Sequence, residues 1–246
     1  MVERGRQRRS GTGGTPRSFY LGLAALAIAG VAWVGWSVLG GGAAGATAGV
    51  RGLDFPDAEA LMTAAQGVDL GPADATVQVI VFSDFTCPAC KVFNERVEPG
   101  LKAELIPAGR VRLTYHDYPL DLRAARNDGH RHGFVAARAA RCAAEQDAFW
   151  PYHDLLFQRQ QAWALRASAP ADAFNDYAEE LALDTEAFAG CLASDRHADV
   201  VTANRVLGDS VGVGSTPTVL VAGKPLAEWS SYEALKEMVE AELARR

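Results

Sequence analysis

Apolar positions along the chain fall into three patterns. Residues 19 to 39, FYLGLAALAIAGVAWVGWSVL, are apolar on every face and carry no charge, whereas a surface helix keeps its apolar residues on one stripe. At about 1.5 Å per residue such a helix is about 31 Å long, close to the roughly 30 Å hydrocarbon core of a bilayer. The second pattern is short and rich in β-branched residues. VQVIVFSD (77 to 84) reads as a buried strand, RVRLTYHDYP (110 to 119) alternates Val111, Leu113 and Tyr115 with polar neighbours, and TPTVLVAG (216 to 223) again has strand composition. AGKP then reads as a hairpin turn before a short edge strand. The third pattern has helical spacing. PACKVFNERVEPGLKAELI predicts a helix that begins near Pro88 and is interrupted at Pro99, because proline suits a first turn and breaks a later one. From about 129 to 212, FVAARAARCAAEQ, FWPYHDLLFQRQ, FNDYAEELAL, DTEAFAGCLAS and DRHADVVTANRVLGDSV predict four or five short helices. SYEALKEMVEAELARR predicts a closing amphipathic helix capped by Ser230 or Ser231.

The elements therefore run strand, helix, strand, helical block, strand, strand, helix. A parallel strand pair joined by a helix, followed by an antiparallel pair and a last helix, is the α/β thioredoxin arrangement, here with a helical insertion between its halves. The expected organisation is a tail at 1–18, a transmembrane helix at 19–39, a linker at 40–67 that includes the flexible GGGAAGATAGVRG, and a folded domain at 68–246.

Charge orients this plan. The chain of 246 residues has 24 Lys+Arg and 30 Asp+Glu, but five arginines (Arg4, Arg6, Arg8, Arg9, Arg17) precede the apolar span against Glu3 alone. That bias places the N-terminus in the cytoplasm and everything after the span outside. A cleaved signal peptide competes with this reading, because Ala46 and Ala48 form an A-x-A pattern. Against it, the span exceeds a usual signal h-region and carries Trp33 and Trp36 near its outer end, where interfacial anchors sit. The expectation is a single-pass protein of the cell membrane with its domain on the extracytoplasmic side. That domain has more acidic than basic side chains, so it lacks the basic face a nucleic-acid partner requires.

All four cysteines, Cys87, Cys90, Cys142 and Cys191, follow the span, and in an oxidising compartment an even count makes disulfides the default. Cys87-Pro88-Ala89-Cys90 lies where a strand passes into a helix. There the free N–H groups and the positive end of the helix dipole favour a thiolate at the first cysteine, and the second, one turn on, is within reach of a small disulfide. A zinc knuckle would need another closely spaced Cys or His pair, and Cys142 and Cys191 are far apart in sequence. An inert bridge is the remaining structural alternative.

FSDFTCPAC, ARCAAEQDAFWPYHDLLF and VGVGSTPTVLVAG, in that order from about Val68 to the C-terminus, together resemble the DsbA-like thiol:disulfide oxidoreductases, in particular their membrane-anchored or exported branch. The resemblance implies that Cys87 attacks, that Cys90 is the buried resolving thiol, that Pro217 is a cis-proline packed against the pair, and that the Thr216 backbone pairs with an extended substrate. No cofactor and no metal are expected. The partners that the resemblance implies are reduced exported proteins and a quinone-linked membrane reoxidant of the DsbB or vitamin K epoxide reductase type. One departure stands out. Many relatives carry an acidic residue six positions before the first cysteine, where this chain has Val81; Asp84 is the nearest carboxylate in sequence, read either as a support for the site or as a solvated strand end. Ala89 also lacks the ring that a histidine would supply, so weaker oxidising power than the strongest relatives is expected.

Cys142 and Cys191 lie in separate predicted helices and read first as a staple across the insertion; a shuttle pair that accepts electrons from Cys90 is the alternative. His116, His130, His132, His153 and His197 are scattered: His116 lies at a strand end, HRH at 130 to 132 is a weak metal-binding candidate, loop or helix surface is the first reading for the histidines, and Trp150, Tyr152 and Phe157 read as packing of the insertion core. Two further functions stay open: a reductase or isomerase with the same cysteines, and a metallochaperone or binding module on the same scaffold. Methionines at 1, 62 and 238 alone disfavour a methionine-rich copper site.

Overall fold

A computed structural model describes residues 55–122 and 131–245. The tail, the 19–39 span and most of the 40–67 segment lie outside the described residues, as does His130. Among the described residues, no helix is long and apolar enough to cross a membrane.

Five strands, β1 (Val68–Leu70), β2 (Val77–Ser83), β3 (Val111–Asp117), β4 (Thr218–Val221) and β5 (Lys224–Pro225), form one sheet in the order β1-β3-β2-β4-β5. β2 is central. It pairs in parallel with β3, Val77 opposite Val111 through Ser83 opposite Asp117, and antiparallel with β4. Alternation along β2 sends Val77, Val79 and Val81 to one face, where they meet Phe93, Val97, Leu101, Leu235 and Val239. Those partners come from α2 (Pro88–Arg96), its continuation through Leu105, and the C-terminal helix α9 (Tyr232–Leu243). On the other face Phe82 packs with Tyr118 and Val213. The expected break at Pro99 is present: α2 ends at Arg96, and a turn at Glu98–Gly100 leads into a π-helical segment at Leu101–Leu105. Ser231 is the cap of α9, its side chain accepting from Ala234 N.

Three features differ from the sequence reading, the first being the short edge strand β1, which pairs antiparallel with β3 ahead of the first expected strand. The 40–67 linker is interrupted by helix α1 (Ala58–Ala64), capped by Asp57 and packed through Leu61 on Ala203. With one buried side chain α1 is too short to show a period, and its stability comes from packing rather than propensity. The insertion holds six described helices rather than four or five: α3 (Gly133–Ala144), α4 (Phe149–Gln158), α5 (Gln160–Trp163), α6 (Ala171–Glu180), α7 (Thr185–Ala193) and α8 (Ala198–Ser210). The extra one is α5, a single turn split from α4 at Arg159.

The insertion is not a separate body. Its core residues, among them Tyr152, Leu156, Phe157 and Trp163, belong to one apolar cluster with Phe85, Cys87, Cys90 and Tyr115. Small residues on α3 (Ala136, Ala139, Ala140 and Ala143 have no exposed surface) let neighbouring helices approach closely. Two buried arginines on the same helix are satisfied. Arg138 donates to the carbonyls of Leu192 and Ser194, and Arg141 pairs with Asp117 at 2.7 Å and donates to Gln66 O at 2.8 Å.

Candidate active site

Strand β2 ends at Ser83, and the chain turns through Asp84, Phe85 and Thr86 into α2. Asp84 shapes this turn. Its carboxylate accepts from Thr86 N at 2.7 Å, Thr86 Oγ1 at 2.8 Å and Leu120 N at 2.9 Å, while its carbonyl accepts from Cys87 N at 3.0 Å. It is 1% exposed, so the solvated strand-end reading is incorrect: a short side chain surrounded by N–H donors is held inward despite its charge. The insertion leaves room for it at Gly133, where a Cβ would stand 2.7 Å from Asp84 Oδ1.

Cys87 is the N-cap of α2, with extended backbone and Pro88 at the first helical position. Its pKa is lowered from 9.0 to about 6, first by the hydrogen bond from the Cys90 thiol, against the opposing effect of burial, then by the Thr216 side chain and the Cys90 N–H; the nearby Asp84 charge works the other way. Cys90, inside the core, is pushed well above the ordinary thiol range, first by burial and then by Cys87; Ser83 and the Asp84 backbone oppose this weakly. One sulfur is thus disposed to ionise and its neighbour to keep its proton.

The fold brings the remaining expected residues to the same place. Cys87 Sγ donates to Thr216 O at 3.4 Å across 129 positions of sequence, and the Thr216–Pro217 peptide is cis. Tyr118 steadies the approach to this loop, its hydroxyl lying 2.7 Å from Val213 O and 2.5 Å from Asp209 Oδ1, with one proton to donate between them. Val81 is buried among Val79, Phe93 and Val219, so β2 offers no carboxylate beneath the pair; the polar groups acting on Cys90 are Ser83 and the Asp84 backbone.

Cys142 and Cys191 are joined, with an S–S distance of 2.05 Å and Cα atoms 5.8 Å apart. They tie the last turn of α3 to the last turn of α7, away from either helix start. The histidines need correction. His153 is buried rather than on a helix surface, His132 is buried although it sits in the turn before α3, and His116 is buried at the end of β3, the strand where the sequence placed it. His116 Nδ1 lies 2.5 Å from Asn204 Oδ1, His132 Nε2 2.8 Å from Arg166 O, and His153 Nδ1 2.9 Å from Asp154 Oδ1. A ring with a partnered nitrogen packs like an aromatic side chain, and His153 does so against Phe85, Tyr115, Phe149 and Phe157. Beside it Glu98 and Asp154 complete a cluster of metal-ligand types. The Lys102 ammonium already stands between those carboxylates, 3.0 Å from Glu98 and 2.7 Å from Asp154.

Gln160 carries no signal in the sequence. Its side chain, 4% exposed, donates to Phe85 O at 2.8 Å and Cys87 O at 2.9 Å. Nothing in QRQQAW distinguishes one glutamine from the next.

A five-stranded α/β sheet with two unequal thiols at a helix N-terminus and a cis-proline loop beside them defines a class of redox-capable domain, and comparison with known proteins agrees. The thioredoxin family's sequence profile matches residues 63–241. The Bacillus anthracis probable disulfide bond formation protein D is 31% identical over 182 residues, which cover 72% of this chain and 78% of that protein. The crystal structure of oxidised BdbD from Bacillus subtilis is 27% identical with a TM-score of 0.62, covering 72% of this chain and 92% of that one. The Na(+)/H(+) antiporter NhaA 3 of Salinispora tropica is 37% identical over 169 residues, 69% of this chain, but the chain spans only 24% of the antiporter's length. The chain belongs to the thioredoxin family, among its DsbA-like disulfide bond formation proteins.

Proposed function

We propose that this chain is an exported thiol:disulfide oxidoreductase that forms disulfides in extracytoplasmic proteins and is tethered to the cell membrane through residues 19–39. The observation that supports the chemistry is the opposed ionisation of Cys87 and Cys90, one turn apart at the start of α2. In the oxidised protein the two sulfurs are bridged. A substrate thiolate attacks Cys87 Sγ, the Cys87–Cys90 bond breaks, and Cys90 leaves and takes up a proton. A second substrate thiolate attacks the substrate sulfur of the mixed disulfide and releases Cys87 as a thiolate. Two electrons pass from the substrate, which gains a disulfide, to the protein, which ends as a dithiol. The low pKa of Cys87 makes it a good leaving group in the second step. The Thr216 carbonyl beside Cys87 offers an acceptor for an extended substrate backbone. A quinone-linked membrane partner of the DsbB or vitamin K epoxide reductase type then restores the disulfide.

The direction of electron flow is tested by equilibrating the full chain, in detergent, with glutathione buffers and reading the Cys87/Cys90 state by alkylation and mass. A potential between about -120 and -180 mV is expected; one near about -270 mV would instead mark a reductase. Placement is tested on whole cells with a membrane-impermeant thiol reagent after mild reduction. Labelling of Cys87 only after lysis would overturn the exported orientation.

A further inference from the structure

The active-site turn is held from outside the thioredoxin sheet. Gln160 opens α5, inside the insertion, and a carboxamide nitrogen carries two hydrogens. Both are committed to this turn, one to Phe85 O and one to Cys87 O. A third tie reaches the same segment, since Lys91 Nζ donates to Gln158 O at 3.0 Å. Cys87 O also accepts Lys91 N at 3.2 Å, the first hydrogen bond of α2, so the Cys87 carbonyl is shared between the helix and the insertion. The Phe85 carbonyl has no such second donor among the backbone bonds of the turn.

A carbonyl oxygen carries partial negative charge, and buried without a donor it is costly. Near a sulfur that must become an anion it also disfavours ionisation. Two N–H bonds from Gln160 offset that negative charge and fix the peptide planes on which the Cys87 side chain stands. We propose that Gln160 is a positioning residue for Cys87, through which the helical insertion sets how readily the active-site thiol ionises. This rests on the reading of Cys87 as the reactive sulfur.

The test uses the full chain, reduced, with the Cys142–Cys191 disulfide intact, and follows the ultraviolet absorbance of the thiolate against pH. Gln160→Met keeps the length and removes both donors; it is expected to raise the Cys87 midpoint by about half a unit to one unit. Gln160→Glu keeps the shape, but burial against two carbonyl oxygens holds its carboxyl protonated with one donor left, so the midpoint is expected to rise by less than in Gln160→Met. A purely structural glutamine would lower the thermal midpoint and leave the thiol titration at its wild-type position, which would overturn the proposal. Should Gln160→Met not fold, Gln160→His, which retains one donor, must show a smaller upward shift, and no shift there overturns it equally. A wild-type midpoint in the ordinary thiol range would remove the reactive-thiol reading itself, a result distinct from equal midpoints in wild type and variants.

Discussion

Cys87 should titrate as a thiol of unusual acidity, and the reduced protein should be stabilised by it in a definite pH window. Its pKa is about 6 in the fold against 9.0 for an unperturbed thiol. A lowered folded pKa gives stabilisation that is complete above the unfolded value, near pH 9, and is lost as pH falls through about 6. At pH 7 the two values correspond to about 1.4 kcal/mol in favour of the reduced form, or about 30 mV of oxidising potential for a two-electron couple; by pH 5 the contribution is nearly zero. The assay is alkylation of the reduced protein by limiting iodoacetamide, with Cys87 modification followed by mass from pH 4 to 9. The rate should climb about tenfold between pH 5 and 7 and then level off. An ordinary thiol would gain about a hundredfold over the same interval and keep climbing. A rate still rising steeply above pH 8 would refute the assignment of Cys87 as the ionising sulfur.

Two further outcomes concern the scaffold. Replacing both Cys142 and Cys191 by alanine opens a cross-link with a sequence separation of 49, and the chain-entropy relation sets the loss at about 4 kcal/mol. Guanidinium unfolding of the double variant measures it, and a loss under about 1 kcal/mol would contradict a stapling role. Arg141→Met strands the Asp117 carboxylate, whose side chain is 0% exposed, and should cost about 3–5 kcal/mol. Adding Asp117→Asn should recover part of that loss; no recovery would show that lost packing, not the uncompensated charge, is responsible.

The sequence made some parts of this molecule plain and kept others hidden, for identifiable reasons. β2 and β4 announce themselves because β-branched and apolar residues crowd into short runs, β3 because Val111, Leu113 and Tyr115 alternate with polar neighbours, and the start of α2 is marked by a proline that suits a first turn. Cys87 and Cys90 were visible because their chemistry depends on a local junction of strand and helix. Gln160 was not, because its role depends on a carbonyl 75 positions earlier and a polar side chain gives no hint of which distant donor or acceptor it meets. Polarity alone could not decide between the two readings of Asp84 and suggested solvent for His153, because the N–H donors around one and the aromatic walls around the other come from distant parts of the fold. Helix α1 escaped notice because one buried leucine leaves no periodicity to read.

The 129 positions between Cys87 and Thr216 also carry a consequence for biosynthesis. At about 5–20 residues per second, ribosomal elongation delivers Thr216 about 6–26 s after Cys87. During that interval β2, β3, α2 and the insertion exist without β4, so the nascent chain holds its nucleophilic half while the half that supplies the Thr216 contact is still unmade. Gln160 arrives earlier in that interval, which makes the insertion the first wall built around the dithiol and the Thr216–Pro217 loop the last. Contacts of such long separation are also slow to form, so redox competence should trail chain completion rather than accompany the appearance of the cysteines.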